Sequence, residues 1–443
     1  MFLRPSPFEG GYRGMLYCPV AQLLMPVAGE VGRGMTDIAR NPLKILLISN
    51  HRRFKINFRA HPWARELAKR GHDVDVLCHA DTERWHNKIQ FVEGFRVIEN
   101  PDMLVGVLRQ GWDPYCAWRR NRFLTQENKR YDLIHCLDTR LAVVCPALSY
   151  ARSRNIPVVS DWIDWWGRGG LIKERRPAWY RFFFTGFETW FEEHFRARLE
   201  GLTAISHALL ERAVALGCDR ERCTVIHGGA DLDVFAKIPE AEESKRKLGI
   251  EPGTPVVCFS GLDVLIDLPL AVKAFETVRR SMPECMLLLV GPRSAQVRSM
   301  VSDEGVMAHI KATGPVPFSQ LPGYLAAADV FLMPYMNKVS NVGRWPNKVG
   351  DYMAVGRPTV SNPIGEVKWL FEHYDIGLLA EETPESMAEA TLTLLRDPEK
   401  ANAMGREARR VAEEVFAWDK QIVKLENWYY DILDRIAHTP ASV

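Results

Sequence analysis

The run Lys44-Ile45-Leu46-Leu47-Ile48-Ser49 is continuously apolar, and that narrows the fold of this chain more than any other feature. A half-exposed strand alternates polar and apolar side chains. An unbroken run belongs to a strand covered on both faces, as in a parallel sheet flanked by helices. Further strand candidates lie at 73–78 (DVDVLC), 131–137 (YDLIHCL), 156–160 (IPVVS) and 202–206 (LTAIS), and a helix between the first two strands ends at Gly71. A second series follows the turn-rich HGGADLDVF (227–235): strands at 255–260, 285–291, 310–314 and 329–335, with helices at 267–281, near 319–328, 384–396 and 399–416. Strands alternating with helices predict βαβ units. The expected fold is α/β, two doubly wound Rossmann-like domains facing across a cleft, 42–228 and 229–417, with the change-over near 225–240. The closing helix, 418–436, carries Trp428, Tyr429 and Tyr430 and can pack on either half. Residues 1–41 are rich in Gly and Pro and lack a basic start to their apolar piece, so a disordered leader is expected, not a signal peptide.

The stretch from Pro334 to Pro363 carries the strongest chemical signal. It reads as a strand end, a polar loop, a short helix and another strand. Pro346 suits the first helical turn, Gly356 the position past the helix end, and Pro358 forbids continuation. Lys348 and Asp351, three residues apart, share a helix face about 4.5 Å apart along the axis. A helix start bearing Arg344 and Lys348 attracts phosphate, and a carboxylate one turn deeper accepts hydrogen bonds from ribose hydroxyls. The plainer alternative is a surface helix with ordinary charges.

Doubly wound sheets bind ligands outside the carboxyl ends of their strands, which draws attention to the loops after Ser49, Asp138, Ser160, Ser206, Ser260 and Tyr335. Asp138 is a cleft candidate, whereas His135 reads equally as a packed strand residue. In SDWIDWWGRGG (160–170), Asp161 and Asp164 beside three tryptophans suit acceptor-sugar binding, against a core or interface role for the tryptophans. Arg53 is a further candidate for acceptor binding: with His51, Arg52 and Arg59 it occupies the loop after the first strand, opposite the diphosphate, where one of the four can contact phosphate and the others be solvated. Ser206 reads as a helix cap or a cleft residue, and Gly365-Glu366 as a turn or a sugar contact.

A formal net charge of +2, without a recognition motif, argues against nucleic acid as a partner. Nine cysteines without a CxxC pair imply neither a zinc site nor a disulfide framework and fit a reducing cytoplasm. Basic and aromatic residues interleave at 118–123 (WRRNRF) and 173–191 (KERRPAWYRFFFTGFETWF), a mixture suited to peripheral contact with an anionic membrane at the inner face of the plasma membrane, or to a helix packed inside the first domain with basic ends.

The segments 206–235, LLLVG (287–291), TGPVPFSQLPGYLAAADVFLMPY (313–335), DYMAVGRPTVSN (351–362) and 375–397, in this order, resemble a GT-B glycosyltransferase of family 4, and GRWPNKVGDYMAVGRPTV resembles a subgroup with an Arg-x-Pro-x-Lys element. The resemblance, over about 42–436, implies transfer from a nucleotide-diphosphate sugar to a glycan or lipid-linked acceptor, with retention and without a metal or other cofactor. It implies a donor site at Arg344, Lys348, Asp351, Gly261, Ser206, Val316, Gly365 and Glu366, and a catalytic role for Arg344, Lys348 and Asp138. Two departures stand out. The family's first motif glutamate falls on Gly343, and the usual Arg and Lys are absent from 261–267. Either Arg344 and Lys348 serve the diphosphate instead, or the chain is a non-catalytic nucleotide-sugar-binding or scaffold member. A sugar-nucleotide epimerase on a related fold is a third reading.

Overall fold

The computed structural model describes residues 40–53, 59–102, 111–127, 129–261, 264–301 and 304–438. The expected leader falls outside them except for Arg40 and Asn41, as do Leu262 and Asp263 and part of the loop after the first strand.

The first sheet contains β1 (Lys44–Arg52), β2 (Asp73–His79), β3 (Lys88–Val92), β4 (Phe95–Asn100), β5 (Leu133–Leu137), β6 (Val158–Trp162), β7 (Gly201–Ala204) and β8 (Cys223–Val225), in the order β3-β4-β2-β1-β5-β6-β7-β8. All its neighbours pair parallel except β3 and β4. That hairpin was absent from the sequence reading. Its two-residue turn, Glu93-Gly94, has positive φ at both positions (49° and 88°), the backbone that matches strand twist, but Glu is not a residue that advertises such a turn. The second sheet contains β9 (Val256–Ser260), β10 (Met286–Val290), β11 (Ile310–Ala312), β12 (Val330–Met333), β13 (Thr359–Ser361) and β14 (Gly377–Leu379), all parallel, in the order β11-β10-β9-β12-β13-β14.

Chain order reverses between β1 and β5 in one sheet and between β9 and β12 in the other, and the crevice of a doubly wound sheet opens at such points. His51 lies at the end of β1, and the segments that follow β5, β9 and β12 carry Asp138, Gly261 and Arg344.

Helices cover both sheets, and the central strands are buried along their length, β1 from Ile45 to Ile48 and β9 throughout. The closing helix, Trp418–His438, sets Trp428, Tyr429 and Ile432 against Ile45, Leu47 and Trp63 of the first half. Tyr429 Oη lies 2.8 Å from His135 Nδ1. Full burial holds that imidazole neutral and lowers its pKa to about 4, so His135 is a packing residue. The two halves share one continuous apolar cluster, in which Leu209 and Trp162 meet Trp345 and Val349.

Candidate active site in the crevice

The helix Asn347–Val355 follows Pro346 and ends at Gly356, whose φ of 76° is the left-handed conformation a glycine adopts without a Cβ clash. Lys348 projects from its first turn. Its Nζ lies 3.9 Å from Asp267 Oδ2 and 4.5 Å above the Phe259 ring, and 3.6 Å from where a Cβ on Gly261 would stand. Arg344, just before the helix, donates from Nε to Tyr335 Oη (3.3 Å), while that hydroxyl donates to the Arg344 carbonyl (3.1 Å). Burial opposes its charge, but Tyr335 and the carboxylates of Asp267 and Asp164 outweigh this and raise its pKa. Asp267 belongs to the second half and Asp164 to the first, so Arg344 faces the crevice from between them.

Asp351, one turn deeper, is half-buried, and among the described residues none donates a hydrogen bond to its carboxylate. Desolvation, with Asp231 nearby, pushes its pKa up to about 7. A carboxylate desolvated without a donor is one that a diol can satisfy.

The opposite wall is formed by Asn50, His51, Asp138, Asp164, Trp166 and Arg196. Asp138 holds a φ of 113°, a conformation that costs a non-glycine residue energy and that local bonds enforce. Its carboxylate accepts from Asn50 Nδ2 (3.0 Å) and the Thr139 amide (2.7 Å) and pairs with Arg140 (3.1 Å) and Arg196 (3.4 Å). Asp164 is different. Among the described residues nothing donates to its carboxylate, burial raises its pKa, and Arg344 and Arg175 offset part of that rise.

Several of the other expected site residues are buried. Asp161 corrects the acceptor reading. The strand expected to stop at Ser160 continues to Trp162, which places Asp161 inside the sheet, opposite Leu137 and Thr203. It is fully buried, accepts from Arg59 Nε (2.5 Å) and Nη2 (2.8 Å), and accepts from Thr203 Oγ1 (2.6 Å). Ser206 is also buried. Its Oγ accepts from the Leu209 amide (3.3 Å), capping the helix, and donates to the Gly343 carbonyl (2.7 Å), so it holds the Arg344 loop and leaves no hydroxyl for a donor. Arg53, half-buried at the end of β1, lies near enough to His61 to disfavour protonation there. Val316 is partly buried against the shared apolar cluster. At Gly365 (φ 51°) a Cβ would stand 2.7 Å from the Val342 carbonyl oxygen, so the glycine lets the helix Gly365–His373 approach the 341–343 loop.

Glu366 is a buried bridge, not a surface glutamate. One oxygen meets His207 Nδ1 (2.7 Å) and His227 Nε2 (2.6 Å), and the other accepts from the His207 amide (2.9 Å). Burial alone would raise its pKa, but the hydrogen bonds from both histidines lower it to about 2. These three side chains could together ligate a cation, but each oxygen of Glu366 already has a hydrogen-bond partner. Since His207 begins a first-half helix and Glu366 a second-half helix, the bridge ties the walls of the crevice together, as does Ser340 Oγ donating to Glu174 (2.8 Å).

The structure also explains Gly343. A Cβ there would lie 2.9 Å from Trp165 Cβ and 3.3 Å from Leu209 Cδ2. An indole occupies the volume that a side chain at this position would need. The sequence signalled this only indirectly, as a glycine out of place and, far upstream, a tryptophan cluster at 160–170 whose partner could not be known.

Two doubly wound units with facing strand ends and a crevice between them constitute the GT-B architecture. Sucrose-phosphate synthase from Thermosynechococcus elongatus superposes with a TM-score of 0.68 at 17% identity, over 89% of this chain and all of that one. Anabaena HepE, solved in complex with UDP and glucose, superposes with a TM-score of 0.65 at 17% identity, over 88% of this chain and all of that one. Residues 59–234 match the family model described as Glycosyltransferase Family 4, and 254–397 the one described as Glycosyl transferases group 1. The GDP-mannose-dependent alpha-(1-6)-phosphatidylinositol monomannoside mannosyltransferase of Mycobacterium tuberculosis (strain H37Rv) is 30% identical over 210 residues, 45% of this chain and 54% of that one. The chain thus spans about half the length of that curated relative. It belongs with the family-4 type of GT-B glycosyltransferases.

Proposed function

We propose that the protein transfers a sugar, with retention of configuration and without a metal ion, from a nucleoside-diphosphate sugar to a glycan or glycolipid. The observation that carries this is the convergence of Arg344 and Lys348 on the crevice, both facing Asp267, with the unsatisfied carboxylate of Asp351 one turn further along. In this reading the two cations meet the diphosphate, and Asp351 receives the ribose hydroxyls. As the glycosidic bond breaks, negative charge grows on the departing diphosphate, where fixed cations stabilise it more than in the ground state. The acceptor hydroxyl passes its proton to that diphosphate on the face of attack, so the side chains orient and hold charge. Asp164, across from Arg344, accepts a hydroxyl of the donor or acceptor sugar. Arg344 and Lys348 replace the missing Arg and Lys of 261–267. The GDP-mannose dependence of the mycobacterial relative and the UDP of the Anabaena complex support a nucleotide donor and leave the base open.

The test is nucleotide release and product formation by the purified chain over a panel of UDP- and GDP-sugars, with and without a chelator. The expected product keeps the donor's anomeric configuration, at a rate the chelator does not change. A second reading, a non-catalytic nucleotide-sugar-binding subunit, is favoured by Trp165 filling the space at Gly343. Tight nucleotide binding without turnover across the panel would select it, and donor isomerisation without an acceptor would select an epimerase.

A further inference from the structure

The helix Ala178–His194 is inside out for a soluble protein. Two of its acidic residues, Glu188 and Glu192, are buried, while Trp179, Phe182, Phe183, Phe184, Phe187 and Trp190 face solvent. Trp179, Phe183, Phe187 and Trp190 recur three or four residues apart, which puts them on one stripe, with Phe182 beside it. Phe182 is 83% exposed and Phe183 69%. Both buried carboxylates are engaged. Glu188 meets Tyr180 and Arg176, and Glu192 accepts from Trp162 Nε1 and from the Trp166 and Gly167 amides. Rolling the aromatic side inward would take these carboxylates away from the buried indole N–H, amides and guanidinium they pair with and leave those groups unpaired. Phe187 also packs 5.3 Å from the ring of the buried Trp112, and on the helix that follows it, Pro114–Glu127, Trp118 is exposed with the Arg122 guanidinium 5.5 Å from its ring. Lys173, Arg175 and Arg181 are exposed at the N-terminal end of the ridge. No described helix is long and apolar enough to cross a membrane.

We infer that this aromatic ridge docks the protein on the surface of an anionic lipid bilayer, the rings entering the headgroup boundary and the cations meeting lipid phosphate. Aromatic side chains flanked by Lys and Arg fit that interface. A parallel pairing of two copies through the ridge would instead bring like charges together at the Lys173–Arg181 end. The docked helix is also joined to the crevice. Glu192 holds the Trp166 amide, and Trp166 lines the wall with Asp138 and Asp164. A lipid-borne acceptor would enter from the membrane side along this wall, a statement that rests on the transfer proposed above, whereas the docking does not.

The experiment is flotation of the full chain with vesicles of phosphatidylcholine alone and of phosphatidylcholine with about one-third phosphatidylglycerol, together with Trp fluorescence. The expected result is binding to the anionic vesicles with a blue shift, weakened about tenfold or more on neutral vesicles and by added salt. The double variant Phe182→Ser/Phe183→Ser should lose about tenfold or more in vesicle binding, with its melting temperature and its affinity for UDP or GDP unchanged. Phe91→Ser, an equally exposed ring on β3, should bind as the parent does. Absence of flotation by the parent overturns the inference, as does full binding by the double variant or an equal loss in Phe91→Ser. A vesicle-free dimer that the double variant abolishes would assign the ridge to a second copy. Flotation without sugar transfer would overturn the proposed function alone, and transfer to a water-soluble acceptor without flotation would overturn the docking alone.

Discussion

Arg344→Ala is the perturbation that bears most directly on the chemistry. Its guanidinium faces Asp164 and Asp267, and Tyr335 holds its Nε. At a separation of about 4 Å and an effective dielectric of about 20, a cation and a phosphate oxygen attract by about 4 kcal/mol. The portion that grows as the diphosphate departs is about 2–4 kcal/mol, which corresponds to roughly 30- to 1,000-fold in rate. In the nucleotide-free protein the deletion leaves Asp164 and Asp267 without their shared cation. Both border the crevice and can take up protons or solvent, so the melting temperature should fall only slightly. Steady-state nucleotide release separates the effects. The expected loss lies in kcat, with KM moving much less, because the interaction strengthens in the transition state. Arg344→Lys should recover part of the rate, since a point charge remains but the fork aimed by Tyr335 does not. If Arg344→Ala turned over like the parent, the assignment of this loop to the diphosphate would be refuted.

Other outcomes follow from the same geometry. Because the Asp351 pKa is raised to about 7, its carboxyl is protonated below that pH, and the ligand-free fold loses stability as pH rises from the ordinary carboxylate range towards 7. A ribose diol donates to the ionised form, so nucleoside diphosphate affinity, measured by calorimetry, should rise from pH 6 to 8, and Asp351→Asn should flatten that rise; an unaltered slope in the variant would remove Asp351 from the ribose. Gly343→Glu, which restores the family glutamate, should restore no activity and lower stability by about 1–3 kcal/mol in urea titration, because Trp165 occupies the space; a gain in turnover would contradict this. Asp161→Ala leaves the Arg59 guanidinium buried without its partner and should cost about 3–5 kcal/mol of stability. A chain as stable as the parent would return Asp161 to the list of acceptor contacts.

Periodicity and punctuation made the architecture legible. Unbroken apolar runs at 45–48 and 256–259 require cover on both faces whatever their neighbours, so parallel sheets and facing crevices followed from local pattern. Pro346 and Gly356 bounded the donor-side helix because their constraints act within one residue, and three-residue spacing put Lys348 and Asp351 on one face for the same reason. What a side chain meets across the fold is not encoded at that range. Two further residues of strand turned Asp161 from a crevice carboxylate into a buried ion pair with Arg59, 102 positions away. Tertiary packing alone brought Trp165 to Gly343, closed Glu366 between two histidines from the other side of the crevice, and turned Glu188 and Glu192 inward so that six aromatic rings faced out. Local sequence sets backbone geometry through steric limits that neighbouring residues share. Burial, charge pairing and exposure belong to surfaces that exist only once the two sheets have closed on one another.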